Sequence, residues 1–327
     1  MTTSHSDRSL GSSRPPAVLV AGGRGFVGSH VVRALVHAGY RPVLFGPAMA
    51  EDRLADLAGR YDEIIGSVED RAGLASAFAA ARPKAVVSCV AHGVGRLGLM
   101  RSGEAEADAA FAVNVSGHGK LIEAAHAAGV SRIVWTSSTV VYGPAELYGD
   151  RLVDEDDRAA PTTTYGLTKQ LAEAVAAFHA RRHGLAVVGL RLPLILGPGL
   201  WYQGAASAIA ELFEAARAGR PAAIAFHEAA VDLMHVADVA QAIVTVLGHD
   251  GALDPVYNLK GFEASLPALI AAVERRVPAA RITFEPAAPA LLFPLVDGRR
   301  LAAATGFAAR YDLDGLVEDL LSTASEP

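Results

Sequence analysis

Up to Leu192, short apolar runs alternate with stretches of helical periodicity, and no other feature narrows the possible folds as far. Ala17-Val18-Leu19-Val20 is apolar and runs into glycines, as a strand buried on both faces does. Phe26 to His37 carries apolar residues at helical spacing and ends near Gly39. Strands are then expected over Arg41–Phe45, around Ile64-Ile65, over Ala85–Val90, over Arg132–Thr136 and over Ala186–Leu192. Helices are expected over Leu74–Ala81, in one long run from about Ala105 to Ala128, and over Thr164–His183. Strand and helix in turn give a doubly wound parallel sheet with right-handed crossovers. The rhythm changes after Pro193. Gly197-Pro198-Gly199 reads as loop, Ala205–Ala218 and Val236–Leu247 as helices, Val256–Leu259 as a strand, and the tail from Leu266 as short helices with a strand around Ile282. The expected α/β architecture is residues 1–16 as a flexible tail and 17–192 as a dinucleotide-binding domain, with 236–260 returning to it. A smaller lobe for substrate takes 193–235 and 261–327.

The 327 residues exceed one simple core, and 51% hydrophobic with 20% charged residues can fill a large one. A net charge of −6 argues against a nucleic-acid surface. Cys89 is the only cysteine, so no intrachain disulfide forms and a reducing, cytoplasmic setting is expected. Met1 to Pro16 is polar and lacks the apolar stretch of a signal peptide. No run reaches the ~20 apolar residues of a membrane span.

Chemistry concentrates in three places. Gly22-Gly23-Arg24-Gly25-Phe26-Val27-Gly28 lies between the first strand and the first helix. Glycines there let the backbone turn tightly and approach a pyrophosphate, and the helix start offers free N–H groups and a favourable dipole. Gly22, Gly25, Phe26, Val27 and Gly28 are therefore expected to bind a dinucleotide. An acid usually follows the second strand of an NAD site, to hold the ribose. Gly46 stands there, and the next acid is Glu51. With Arg24 and Arg53 nearby to meet a 2′-phosphate, the reading is NAD(P) leaning to NADP(H).

Tyr165 and Lys169 stand four residues apart at a helix start, on one face. A lone phenol, with a pKa of about 10, is a poor acid–base, and a neighbouring ammonium is expected to lower it. With 8 tyrosines and only Lys84, Lys120, Lys169 and Lys260, roughly 0.1 such pairs arise by composition. Ser138 lies where the fifth strand ends, the edge at which such sheets bind ligands. The expected catalytic group is Ser138, Tyr165 and Lys169. Cys89 and His92 read as core and loop residues. His179 and His183, one helical turn apart, lack a third metal ligand and read as a solvated face, so no metal site is expected.

Together these motifs resemble the extended short-chain dehydrogenases/reductases, the NAD-dependent epimerase/dehydratase family, from about Ala17 to Leu321. The likeness also rests on Asn114-Val115-x-Gly117, Val141-Tyr142-Gly143, Arg191 before Gly197-Pro198-Gly199, Asp232-x-x-His235-Val236-x-Asp238, and Asp297-Gly298-Arg299-Arg300 before Thr305-Gly306-Phe307. It implies a Rossmann domain, a substrate lobe, often a homodimer, Ser138 as the catalytic serine, Asn114 as an ordering residue and Pro193 beside the nicotinamide. Many members act on nucleotide sugars and hold the diphosphate with an Asn after the Arg of the sixth strand and an Arg before the Asp of the Asp-x-x-His-Val motif. Leu194 and Val231 occupy those places here. The expectation is reversible hydride transfer at a C–OH/C=O of a sugar-like or polyhydroxylated small molecule. Sugar or nucleotide-sugar epimerisation with tightly bound NAD is the alternative, and a non-catalytic dinucleotide sensor a third.

Overall fold

The computed structural model describes residues 15–204, 206–289 and 291–322. The expected tail thus lies outside the described residues except for Pro15 and Pro16. The elements, in chain order, are β1 (Ala17–Ala21), α1 (Phe26–His37), β2 (Arg41–Gly46), β3 (Asp62–Ile65), α2 (Arg71–Ala81), β4 (Ala85–Ser88), α3 (Leu99–Ala105), α4 (Ala107–Phe111), α5 (His118–Ala127), β5 (Arg132–Ser138), α6 (Thr164–His183), β6 (Ala186–Leu192) and β7 (Leu194–Leu196). They continue with α7 (Ser207–Ala218), β8 (Ala222–Phe226), β9 (Val231–His235), α8 (Val236–Leu247), β10 (Val256–Asn258), β11 (Phe262–Ala264), α9 (Leu266–Arg276), β12 (Ile282–Pro286), α10 (Arg299–Thr305) and α11 (Leu313–Ser322).

Seven strands form one all-parallel sheet in the order β10-β6-β5-β4-β1-β2-β3. The chain order reverses between β1 and β4, which opens a crevice at their carboxyl ends. Alternation along β1 shows why the strand is apolar throughout. Val18 and Val20 pack with α1 and α8 on one face, while Ala17, Leu19 and Ala21 pack with α2, α5 and α6 on the other. β10 completes the sheet beside β6, pairing Asn258 with Arg191.

The remaining strands form a three-stranded sheet, β11-β9-β7, and a parallel pair, β12-β8. Their core draws on α7, α9 and α11, with Phe213, Ile224, Leu269 and Leu316 buried together. No described helix is long and apolar enough to cross a membrane.

One expected element differs. The long helix over 105–128 is broken: α4 passes through a π-helical turn at Ala112–Gly117 before α5. Asn114 in that turn spends its side chain on other segments, and Gly117 abuts Val68, which a Cβ would meet at 2.7 Å. A wider turn accommodates both demands.

Candidate active site

The glycine turn is fixed by two close approaches. Gly22 has φ +77°, and a Cβ there would press on the Cys89 carbonyl at 3.1 Å. A Cβ on Gly28 would sit 2.1 Å from the Gly22 oxygen, so this position admits only glycine. No side chain caps α1 and its first turn holds no acid. The amides of Phe26, Val27 and Gly28 therefore have no acceptor within the helix and point towards the crevice as a ready anion site.

Tyr165 and Lys169 are both buried on α6. Thr163 caps this helix, accepting from Gly166 N at 3.1 Å, and Glu104 of α3 accepts from Thr164 N at 2.7 Å and Thr164 Oγ1 at 2.9 Å. The glycine at position 103 lets α3 lie against Tyr165, since a Cβ there would be 3.1 Å from the Tyr165 nitrogen. Lys169 Nζ donates to Thr136 O at 2.8 Å and to Val90 O at 3.4 Å, anchoring it to the ends of β5 and β4. Ser138 is buried at the end of β5, accepts from Val140 N at 3.3 Å and shares a side-chain hydrogen bond with Tyr165. The three residues expected to act together are thus brought to one place, beside the glycine turn. Pro193 follows β6 at the same edge.

Asn114 orders this arrangement. Its Oδ1 accepts from His92 N at 2.7 Å and its Nδ2 donates to Thr168 Oγ1 at 3.0 Å, tying the loop after β4 to α6.

The electrostatics depart from expectation at Tyr165. Burial pushes its phenol above the ordinary tyrosine value, Tyr202 adds to the rise, and only the Ser138 hydrogen bond opposes them. Lys169 spends two N–H groups on carbonyl oxygens, and its Nζ is 5.7 Å from the Tyr165 ring centre, so it does not supply the expected depression. Burial lowers the Lys169 ammonium itself to about 8.

Arg24 is committed. It makes a two-point contact with Glu63 at 2.6 and 2.7 Å and meets Asp52 at 2.7 Å. The expected solvated His179–His183 face is not found at His179, which is buried, edge-on to Phe178 and stacked with His183 at 5.6 Å. No cluster of three acids, histidines or cysteines that could hold a metal occurs among the described residues. Burial pushes the Cys89 thiol up to about 12, which leaves it unreactive.

Sequence reasoning missed two features. Glu173, one turn beyond Lys169, grips Arg191 at 2.8 and 2.9 Å and accepts from Ser137 at 2.6 Å. Its register with Lys169 was the available signal. Trp201 and Tyr202 reach back to the crevice, Tyr202 lying edge-on to Phe26 at 6.2 Å, and nothing local foretells a loop folding back this far. The Asp232–Asp238 motif proves to be a scaffold: Asp232 accepts from Val296 N, His235 pairs with Asp319, and Asp238 accepts from Arg310 N and Tyr311 N.

The model of the NAD-dependent epimerase/dehydratase family matches residues 18–259. A UDP-glucose 4-epimerase of Rhizobium leguminosarum bv. trifolii is 31% identical over 243 residues, 69% of this chain and 71% of its own length. Among solved structures, the holo form of L-threonine dehydrogenase from Cupriavidus necator superposes with a TM-score of 0.81 at 22% identity, covering 94% of this chain and all (100%) of its own. A Thermus thermophilus UDP-glucose 4-epimerase in complex with NAD superposes with a TM-score of 0.80 at 23% identity, with the same coverage of 94% and 100%. At these identities the two structures attest the fold.

Proposed function

The chain belongs to the NAD-dependent epimerase/dehydratase family, and on that premise we propose that it moves a hydride to or from a hydroxyl-bearing carbon of a sugar-like substrate. The observation that carries this reading is the convergence of Tyr165, Ser138 and Lys169 beside the uncapped start of α1. The residues fit a dinucleotide. The Phe26 and Val27 amides would suit its pyrophosphate, Lys169 has one N–H left that would serve a ribose, and Pro193, just after β6, would border the nicotinamide. The cofactor supplies a hydride donor or acceptor at the nicotinamide. In the reducing direction Tyr165 gives its phenolic proton to the substrate oxygen while Ser138 holds that oxygen. Burial keeps the phenol protonated at neutral pH but makes it a weaker acid than a free tyrosine, so the Ser138 contact, which acts to lower it, works in favour of the transfer.

The cofactor reading is NAD(H). The lean towards NADP(H) loses its support because Glu63 and Asp52 occupy Arg24 and would repel a 2′-phosphate at that rim. For the substrate, Leu194 and Val231 pack against the apolar core of the lobe. This supports a molecule without a diphosphate, since two such charges in an apolar setting would need partners. Epimerisation, with one cofactor taking and returning the hydride, is the second reading, favoured by the likeness to a UDP-glucose 4-epimerase.

The domain reading also stands as a proposal: 17–192 with 236–260 holds the cofactor, and 193–235 with the chain from 261 onward holds the substrate. The pairing of β10 with β6 and the packing of α8 on α1 support it. A second copy of the chain is proposed to cover the outer face of α6, where Leu167, Leu171 and Phe178 form one exposed apolar stripe.

The test is hydride transfer between NAD and a panel of free sugars, sugar alcohols and nucleotide sugars, followed by the absorbance of reduced nicotinamide. Tyr165→Phe is expected to lower kcat by roughly 10²–10⁴-fold while NAD affinity stays within about twofold. Wild-type turnover in that variant would overturn the assignment.

A further inference from the structure

The segment joining β7 to α7 does not stay on the lobe. After Gly197 it leaves the β6 side of the crevice, and Pro198 O meets His30 Nε2 on α1 at 3.0 Å. Gly199 passes 4.0 Å from Arg53 Cδ, measured from where its Cβ would lie, and the Trp201 ring stacks under the Arg53 guanidinium at 3.9 Å. Arg53 belongs to the loop that follows β2. The segment then turns back to the loop after β4. There Gln203 N donates to Arg96 O at 2.6 Å and Gly98 N donates to Gln203 O at 2.7 Å. Bare glycines make that junction possible, because a Cβ on Gly98 would come within 2.7 Å of the Gly204 Cα.

From β6 to β2 is four strand steps, roughly 19 Å at the ~4.8 Å spacing of neighbouring strands. Residues 198–204 therefore run along α1 to the loop after β2 and back to the loop after β4, joining the two sides of the crevice that the glycine turn enters. Tyr202 is edge-on to Phe26 at the start of α1 and is close enough to Tyr165 to act on its phenol. The far anchor is desolvated: the Arg53 side chain is 8% exposed, and its Nη1 is buried without a hydrogen-bond partner. Its other terminal nitrogen pairs with Glu51. A cation held this way depends on the indole face beneath it.

We propose that Arg53 and Trp201 form a clasp which holds residues 198–204 closed over the bound dinucleotide and sets how fast the cofactor leaves. This rests on the NAD(H) reading above. A dinucleotide in the crevice cannot depart along the open side while the strap lies across it, so the stack must part first. The clasp makes the cofactor a resident group of the protein, the property an enzyme needs if the same cofactor is to take and return a hydride.

The test is the release rate of NADH, read as loss of its protein-bound fluorescence after dilution into excess NAD. It requires no substrate. Trp201→Leu keeps packing volume without a π face, and Arg53→Met keeps the stem without the charge. Each is expected to speed release by roughly 30-fold, about what one desolvated cation–π contact supplies. The double variant is expected to release no faster than either single one, because both remove the same contact. Release at the wild-type rate in both single variants overturns the clasp, and so does a double variant whose effect is the product of the two. A wild-type chain that binds no NADH removes the NAD(H) reading itself, and the clasp with it.

Discussion

Buried polar side chains divide by what their partners leave unsatisfied. At Tyr165 burial dominates, and a neutral phenol results. Asp232 is a second case outside the reaction centre. Its Oδ2 accepts from Val296 N at 2.7 Å, but Oδ1 is buried with only Lys260 nearby, at 3.8 Å, and burial raises the carboxyl to about 6. The folded chain then binds a proton at Asp232 that the unfolded chain releases near pH 4. This contribution to stability is fully present below about pH 4 and is lost as pH rises through about 6. Asp232→Asn keeps the acceptor for Val296 and removes the titration. Between pH 4 and 7, wild type is expected to lose on the order of 2 kcal/mol relative to this variant in urea unfolding. Parallel curves would contradict the assignment. The clustering of the proposed catalytic residues was legible in the sequence because Tyr165 and Lys169 sit at helical spacing and Ser138 at a strand end. The direction of the Tyr165 shift was not, since it depends on where Lys169 Nζ points and on Tyr202, a residue distant in sequence.

At the scale of elements, α6 is held by more than its own pattern. Glu173 draws Ser137 of β5 and Arg191 of β6 onto the helix, and Arg191 passes the contact to the Tyr142 hydroxyl at 2.6 Å, which in turn donates to Asn258 at 2.8 Å. Tyr165 and Lys169 thus ride on a helix pinned to the strands they must face. Glu173→Ala leaves the Arg191 charge buried and unpaired. It is expected to cost about 3 kcal/mol in urea unfolding, while the double change with Arg191→Met recovers most of that loss. A loss below about 0.5 kcal/mol would place the pair among those that matter little. The opposite face of α6 carries the Leu167, Leu171 and Phe178 stripe. Phe178→Glu is expected to shift the protein to monomer in sedimentation, and an unchanged sedimentation profile would remove this face from the contact. The strands of the main sheet were readable as apolar runs because both faces of each are buried. β7, β8, β9 and β11 were missed. They are 3–5 residues long and belong to small sheets: β8 and β11 are partly exposed, and β7 and β9, though largely buried, are too short or too polar to show a period.

For the whole molecule, sheet order and chain reversal put the glycine turn, the end of β5 and the start of α6 around one crevice, and the segment after β7 closes over it. The doubly wound architecture followed from alternation alone. The strap did not, because its anchors, His30, Arg53 and Gly98, lie 105 or more positions before the residues they hold. Both the proposed hydride transfer and the clasp require a bound dinucleotide. The measurement is the identity and occupancy of the nucleotide released when the purified, unsupplemented protein is heat-denatured. The clasp and the acid-occupied Arg24 predict NAD(H), near one molecule per chain. Release of NADP(H) instead, or a chain that arrives empty and binds no NAD even at millimolar concentration, would contradict it.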